Sequence, residues 1–324
     1  MNTVARASFH EGERTLQKRA GSHDMLAEVG PRVIREFMPQ QHRDFFALLP
    51  FIVIGAVDAG GQPWASVIAG PAGFVTSPRD DLLQIAALPL AQDPVAASMV
   101  PGQRVGLLGI QPHTRRRNRA NGRIDSVDAS GFTVHVEQSF GNCPKYIQAR
   151  EAAYVPDTAR VSTGESMNAL DAQARQLIAA ADTFFIATAH PQSQGSDDPA
   201  QGVDVSHRGG KPGFVHVDAS GSVLTVPDFT GNAFFNTLGN LLINPRCGLV
   251  FIDYTTGDLL HVAARGEIVT DPQAVDAFAG AQRLVRLHVE AVVRRRRAVA
   301  LKWGAATLSP HLAPTGNWGA SAQS

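Results

Sequence analysis

The sequence contains an internal repeat, and this repeat limits the possible folds more than any other feature. The tripeptide Gly-Phe-Val at 73–75 recurs at 213–215, 140 residues later, and a Gly-Leu-x-x-Ile segment at 106–110 recurs at 248–252, 142 residues later. Two weaker matches follow in the same order, at offsets of 144 and 153 residues: 121–124 with 265–268, and 134–137 with 287–290. Matches that keep their order while the offset grows are typical of a duplicated domain with loop insertions.

The repeat divides the chain into predicted domains. With 324 residues, the chain is long enough for two domains that each bury a core. We expect an N-terminal repeat at 1–150, a linker at 150–167 and a C-terminal repeat at 168–308. Residues 309–324 carry Gly, Pro, Ser and Ala with little apolar content, so we expect a flexible tail there.

Each repeat is predicted to begin with a helix and to continue as short strands. Helical spacing of apolar residues places the helices at 39–49 and 168–181. Residues 132–137 and 285–290 alternate apolar and polar side chains, as half-buried strands do. Many short strands with close turns favour a mainly β fold with flanking helices, built as a barrel. The other predicted strands are 51–57, 64–68, 82–86, 105–110 and 119–126 in the first repeat, and 184–188, 203–206, 223–226, 249–253 and 259–263 in the second.

Composition and charge exclude several classes of function. No uninterrupted apolar run is long enough to span a membrane, and the N-terminus does not resemble a signal peptide, so we expect a soluble, cytoplasmic protein without a membrane partner. Lys plus Arg and Asp plus Glu number 29 each, which gives no overall field that favours nucleic acid. Cys143 and Cys247 are too few for a disulfide framework or a zinc site, so we expect both to be reduced and no metal to be bound.

The second repeat resembles the FMN-binding split barrel of the pyridoxamine 5'-phosphate oxidase superfamily. The residues that carry the resemblance are an ordered set: Val-Asp-Val-Ser-His-Arg-Gly-Gly-Lys-Pro-Gly-Phe-Val at 203–215, then 224–232, 240–246 and 248–253. The first repeat is similar more faintly, and 141–146 resembles a segment that closes such modules. In this superfamily the barrel works as a homodimer with flavin at the interface. The resemblance therefore implies two tandem split β-barrels that form a pseudo-dimer within one chain, with a homodimer of such chains left open.

The resemblance also implies FMN as the cofactor and assigns residues to it. A phosphate needs guanidinium groups, hydroxyl or amide donors and close backbone N–H groups, and 206–211 offers all three. An ordinary polar hairpin turn is the alternative interpretation of the same residues. The implied cofactor-binding residues of the second repeat are Val205, Ser206, His207, Arg208, Lys211, Thr225, Val226, Pro227, Asp228, Asn232 and Asn236.

The first repeat differs at the equivalent positions, which predicts the number of sites. It has Ser-Val-Ile-Ala at 66–69 and Ala-Ala-Leu-Pro at 86–89, and such an apolar wall cannot hold a phosphate dianion. We therefore expect one flavin per chain, with the first repeat facing it. One or more of Arg115, Arg117 and Arg119 are expected to reach the flavin, because alternate side chains of a strand share a face. The alternative is a solvated cationic hairpin.

Three functions fit these predictions. The first is an FMN-dependent oxidoreductase that acts on a small molecule or a nicotinamide donor. The second is a flavin-binding or electron-transfer module without its own substrate, and the third, less favoured, is a pyridoxamine or pyridoxine 5'-phosphate oxidase. The sequence does not identify catalytic residues. It also assigns no site to the arginine cluster at 294–297, which is expected to be a solvated face or a subunit contact.

Overall fold

A computed structural model describes residues 8–156 and 162–318, and its strands form two large antiparallel sheets. The N-terminal part contains α1 (Glu11–Arg19), α2 (His23–Val33), α3 (Gln40–Ala47), β1 (Phe51–Val57), β2 (Pro63–Ala69), β3 (Val75–Arg79), β4 (Leu82–Ile85), β5 (Arg104–Gln111), β6 (Arg116–Asp128) and β7 (Gly131–Gly141). Two short strands follow, β8 (Ala152–Tyr154) and β9 (Thr163–Met167). The C-terminal part contains α4 (Ala172–Ala180), β10 (Thr183–Ala189), β11 (Val203–Gly209), β12 (His216–Val217), β13 (Val223–Asp228), α5 (Asn236–Ile243), β14 (Arg246–Ile252), β15 (Leu259–Val269), α6 (Pro272–Asp276), β16 (Arg283–Arg296) and β17 (Leu301–Trp303). The mainly β fold with flanking helices is confirmed.

The two sheets have the same strand order. The N-terminal sheet runs β2-β1-β5-β6-β7-β4-β3, and the C-terminal sheet runs β11-β10-β14-β15-β16-β13-β12. The registers also correspond, since Ile54 lies opposite Leu107 in the first sheet and Ile186 lies opposite Leu249 in the second. Leu107 and Leu249 are the residues that the sequence repeat aligns at an offset of 142.

Strand burial follows from the alternation of side chains. In β7, Phe132, Val134 and Val136 are buried while His135 between them is exposed, so one face of the strand packs on the core. By contrast, β1 is buried along its whole length. One of its faces belongs to the core of the N-terminal sheet, and the other packs in a core that the two sheets share. Phe51, Val53, Val205 and Val250 meet in this shared core.

Two repeated glycines allow the sheets to make direct backbone contact. A Cβ on Gly106 of β5 would lie 2.6 Å from the carbonyl oxygen of Val203, and a Cβ on Gly248 of β14 would lie 2.1 Å from that of Pro63. Each central strand therefore meets the edge strand of the other sheet where it carries no side chain. The repeated Gly-Leu-x-x-Ile segment thus marks the contact between the sheets.

The structure differs from the sequence predictions at the linker and near the N-terminus. The linker contains β9, which pairs with the end of β16, and β8, which pairs with β17, while 157–161 lie outside the described residues. Helices α1 and α2 were not predicted. Residues 309–318, the described part of the expected tail, lie against the C-terminal sheet, where the indole of Trp318 donates to the carbonyl of Phe214.

The arginine cluster at 294–297 is held by ion pairs within the chain. Arg294 pairs with Asp171 and Glu165, and Arg295, with 1% of its surface exposed, pairs with Asp93 at 2.7 Å. The prediction of a solvated face is therefore wrong for these two arginines. Both are buried against carboxylates that lie far away in the sequence, and a local pattern does not reveal such partners. Within the described residues, no helix combines the length and apolar character needed to cross a membrane.

Candidate functional site

A cavity of about 490 Å³ lies between the two sheets. Strand β6 and the segment 142–146 form the wall from the N-terminal part. The ends of β11 and β13, with the residues that follow β13, form the wall from the C-terminal part. Ala20 and Ser22, between α1 and α2, also line the cavity. Three regions that are distant in the sequence therefore build one site.

Arg119 fixes β6 to β11 at the base of the cavity. Its guanidinium donates to the Oδ1 atom of Asp204 at 2.8 Å, to the carbonyl of Val205 at 3.1 Å and to the hydroxyl of Ser206 at 2.6 Å. Asp204 also accepts from Asn121 and Asn240. Because the Ser206 oxygen accepts from Arg119, the proton of this hydroxyl remains available for donation to a ligand.

Arg117 is a half-buried cation that donates to backbone carbonyls. Its Nε donates to the carbonyl of Cys143 at 2.8 Å and its Nη1 to the carbonyl of His207 at 3.4 Å. Burial, with the nearby charges of Arg119 and Arg208, lowers the pKa of Arg117 to about 10, so it stays charged at neutral pH. In the described ranges 8–156 and 162–318, no carboxylate forms an ion pair with it. A desolvated charge of this kind favours an anionic ligand.

A second group of charges surrounds Asp228. This carboxylate accepts from Arg208 at 2.5 Å and pairs with Arg283 at 3.5 Å. Among the described residues that line the cavity, Asp228 is the one carboxylate. Five cationic side chains line the same cavity: Arg117, Arg119, Arg208, Arg283 and Lys145. The cavity is therefore strongly cationic.

His207 is a neutral group in this cationic cavity. Burial, together with the charges of Arg117, Arg208 and Arg150, holds the pKa of its imidazole well below the usual range. The ring packs edge-on against Phe185, with 5.7 Å between ring centroids. The imidazole can therefore exchange hydrogen bonds with a ligand without adding a positive charge.

An aromatic pair and a glycine shape the neighbouring wall. The rings of Tyr146 and Phe229 lie 5.0 Å apart, one from each part of the chain. A Cβ on Gly209 would lie 2.0 Å from the carbonyl oxygen of Tyr146. Gly209 lies in the predicted phosphate-binding segment 206–211, but the close approach of the 142–146 segment already requires a glycine at this position.

The structure brings together nine of the predicted cofactor-binding residues. The cavity is lined by Ser206, His207, Arg208, Pro227, Asp228, Asn232, Asn236, Arg117 and Arg119. It is also lined by Gln282, Arg283, Ala20 and Ser22, which the sequence analysis missed because no local motif links them to the site.

Five predicted residues do not line the cavity. The side chains of Val205 and Val226 lie in the shared core and the C-terminal core, and Thr225 pairs with His216 and Arg286 through the sheet. Lys211 donates to the carbonyl of Thr315. Arg115 precedes β6 in a turn with a positive φ of 53°, so it does not share the strand face of Arg117 and Arg119, and it donates to the carbonyl of Ile147.

The repeat relates the cavity between β6 and β11 to a position between β15 and β2, and that position is filled by side chains. By register, Ser66 corresponds to Ser206, and His261 corresponds to Arg119. Ser66 donates to Asp93 at 2.6 Å, Asp93 binds Arg295, and the His261 ring contacts the carbonyl of Ala65 at 2.9 Å. The counterpart of Arg117 is the apolar Leu259. The equivalent position therefore has a paired serine and an apolar side chain where the cavity has Ser206 and Arg117.

The two cysteines should differ sharply in reactivity. Cys143 lines the cavity and is partly exposed, whereas Cys247 is fully buried and burial raises the pKa of its thiol. We expect a thiol reagent to modify one cysteine per native chain quickly, because the thiolate is the reactive form. Cys143→Ala should remove this fast phase and Cys247→Ala should retain it. A fast phase that persists in Cys143→Ala would contradict the assignment.

Comparisons with known proteins give one family match and several distant structural similarities. The model of the family described as pyridoxamine 5'-phosphate oxidase matches residues 170–307. The chain has no significant match among curated protein sequences.

Among solved structures, the chain is similar to HupZ from Group A Streptococcus at 14% identity and a TM-score of 0.27, covering 36% of this chain and 85% of that one. A FAD-binding protein from Mesorhizobium loti shows 15% identity and a TM-score of 0.27, covering 41% and 97%. A protein from Clostridium acetobutylicum related to general stress protein 26 shows 12% identity and a TM-score of 0.25, covering 37% and 81%. The family match over 170–307 includes the resemblance carried by 203–253, so the C-terminal part of the chain is similar to the pyridoxamine 5'-phosphate oxidase family.

Proposed function

We propose that this protein binds FMN in the cavity between the sheets and acts as an FMN-dependent oxidoreductase on a small molecule or a nicotinamide donor. The observation that carries the proposal is Arg117, a half-buried cation that has no carboxylate partner among the described residues and lies beside Ser206 and Arg208. A phosphate monoester carries between one and two negative charges at neutral pH and would offset this unpaired charge.

The lining residues fit the other parts of FMN. Arg117, Arg208 and the Ser206 hydroxyl would hold the phosphate, and Asn232 and Asn236 offer amide groups to polar edges. The pair of Tyr146 and Phe229 offers an apolar surface for a planar ring. When bound, FMN would supply hydride and electron transfer, while the protein orients it and sets its surroundings. The neutral His207 imidazole and the paired Asp228 would keep that surrounding polar.

The correspondence of the two sheets supports a fused arrangement. Equal strand order, reciprocal glycine contacts and a shared core are the features expected of two split barrels that form an intrachain pseudo-dimer. In this proposal, only the position that contains Ser206 and Arg117 kept a ligand site. The equivalent position is closed by Asp93 and Arg295.

The state of Asp228 favours a second candidate, a flavin-binding or electron-transfer module without its own substrate. Asp228 is buried and each of its two carboxylate oxygens pairs with an arginine, so neither oxygen is free to contact a substrate. A module without its own substrate needs no such contact, whereas the first candidate then depends on hydride exchange with a nicotinamide donor, which requires no base.

The test begins with the purified protein, added FMN and an absorption spectrum. We expect one FMN per chain by calorimetric titration, and bleaching of the flavin band when NADH or NADPH is mixed in without oxygen. Absence of FMN binding would overturn the proposal, and two FMN per chain would contradict the single site. Binding without bleaching by either donor would select the second candidate.

A further inference from the structure

The segment that joins β13 to α5, residues 229–235, is a strained part of the cavity wall, and we call it the cavity loop. Ala233 and Phe235 have positive φ angles of 58° and 64°. Non-glycine residues in such conformations are strained, and they persist where the surrounding structure holds them. Within the loop, Phe234 N–H donates to the Asn232 side chain at 3.3 Å. The remaining support comes from outside the loop.

Helix α1 provides much of this support. The Gln17 side chain donates to the carbonyl of Phe234 at 3.3 Å, and the ring of Phe9, just before the helix, packs edge-on against Phe234 at 5.4 Å. The helix also touches α5 directly, since a Cβ on Gly12 would lie 2.2 Å from the carbonyl oxygen of Gly239. Movement of α1 would therefore disturb both the loop and the first turn of α5.

Glu13 is the polar centre of this contact. Its Oε1 accepts from the Asn236 side chain at 2.6 Å, and its Oε2 accepts from the backbone N–H of His10 at 2.9 Å. The carboxyl group is 2% exposed, and burial with the charge of Asp204 raises its pKa well above the usual range, against the opposing charge of Arg119. The neighbouring His10 has a pKa lowered to about 4 by burial and is neutral at physiological pH.

Helix capping alone accounts for only one of these contacts. The bond from His10 N–H completes a capping box at the start of α1. The bond to Asn236 is separate, because Asn236 belongs to α5 and lines the cavity. Glu13 thus connects the start of a helix outside the family match to a side chain inside the binding site.

We propose that Glu13 is a positioning residue of the binding site, which acts through Asn236 to hold the cavity loop in its ligand-accepting conformation. The proposal rests on the proposed function in one respect, because FMN affinity is used to measure the conformation of the cavity loop. It assigns a role in ligand binding to the N-terminal helix, which the family match at 170–307 does not include.

The test compares wild type, Glu13→Gln, Asn236→Ala and the double variant. Glutamine has one acceptor oxygen, so it cannot accept from both Asn236 and the His10 N–H as the Glu13 carboxyl does. We expect each single change to weaken FMN binding about tenfold, the equivalent of about 1.4 kcal/mol, and the double variant to bind no more weakly than either single variant. A capping role would lower the melting temperature of Glu13→Gln without changing its FMN affinity. That result, or additive losses in the double variant, would overturn the proposal.

A ligand-free measurement separates this proposal from the proposed function. Chymotrypsin should cleave after Phe229 or Phe235 faster in ligand-free Glu13→Gln than in wild type. Glu11→Gln is the matched control, because Glu11 lies in the same helix, is 55% exposed and contacts His190 instead of the cavity loop. Equal cleavage in Glu13→Gln and Glu11→Gln would overturn the positioning role. Wild type that binds no FMN would refute the proposed function and leave the cleavage result to decide.

Asn236→Ala keeps the test decisive if Glu13→Gln does not fold. This variant removes the hydrogen bond between Asn236 and Glu13 from the side of α5 and leaves the capping box of α1 in place. Faster cleavage of the loop in Asn236→Ala than in Glu11→Gln supports the proposal. Cleavage at the wild-type rate contradicts it.

Discussion

Arg117→Met is expected to weaken FMN binding by about 100-fold while leaving the ligand-free protein at least as stable as wild type. A hydrogen bond to a charged group contributes roughly 1.5–3 kcal/mol, and methionine keeps the length of the side chain without its charge. The same substitution removes a half-buried cation that has no carboxylate partner among the described residues. Affinity should therefore fall while the melting temperature is unchanged or rises, and calorimetry and thermal unfolding measure the two effects.

Arg115→Met is the matched control for this prediction. Arg115 lies two residues earlier, outside the cavity, and its guanidinium donates to the carbonyls of Ile147 and Thr307. We expect its FMN affinity to remain close to wild type. Equal losses in the two variants would show that general positive charge, and not the position of Arg117, determines binding. Wild-type affinity in Arg117→Met would place the phosphate elsewhere.

Asp93→Ala should cause the largest loss of stability, about 3–5 kcal/mol, because it leaves Arg295 buried without its partner. Asp93 accepts from Arg295 at 2.7 Å, from Ser66 at 2.6 Å and from the backbone of Val95 at 3.1 Å. Arg295 is 1% exposed and cannot reach water instead. Urea unfolding of the ligand-free protein should show the loss as a lower midpoint.

Two further variants distinguish the buried pair from a general effect of removing a carboxylate. Asp81→Ala breaks a surface pair with Arg79, and the urea midpoint should not change measurably. The double variant Asp93→Ala/Arg295→Met removes both charges and should recover much of the loss, because the unpaired cation is gone. A midpoint of Asp93→Ala close to wild type would refute the assigned role of this pair.

The sequence was informative where neighbouring residues determine the outcome. Ser206, His207 and Arg208 follow one another on β11, and a single motif therefore located one wall of the cavity. The alternation of β6 also predicted that Arg117 and Arg119 share a face, and both line the cavity. The alternation of side chains does not extend to Arg115. The strand begins at Arg116, and Arg115 lies before it in a turn with a positive φ angle.

Interactions between distant segments were beyond the reach of local patterns. Arg295 resembled part of an exposed basic run, but its partner Asp93 lies about 200 residues earlier and makes it a core residue. Most residues of helix α1 are polar, so its sequence does not predict a buried helix. The helix packs closely on α5 because Gly12 and Gly239, which meet at this contact, have no side chains. The sequence gives no sign of that contact.

Both walls of the cavity belong to one polypeptide, and this has a consequence for binding at low protein concentration. When a site is built between separate subunits, dilution separates its walls and releases the ligand. Here the contact through Arg119 and Asp204 is intramolecular, so its effective concentration does not depend on how much protein is present. Occupancy should therefore depend on the concentration of free FMN and not on that of the protein.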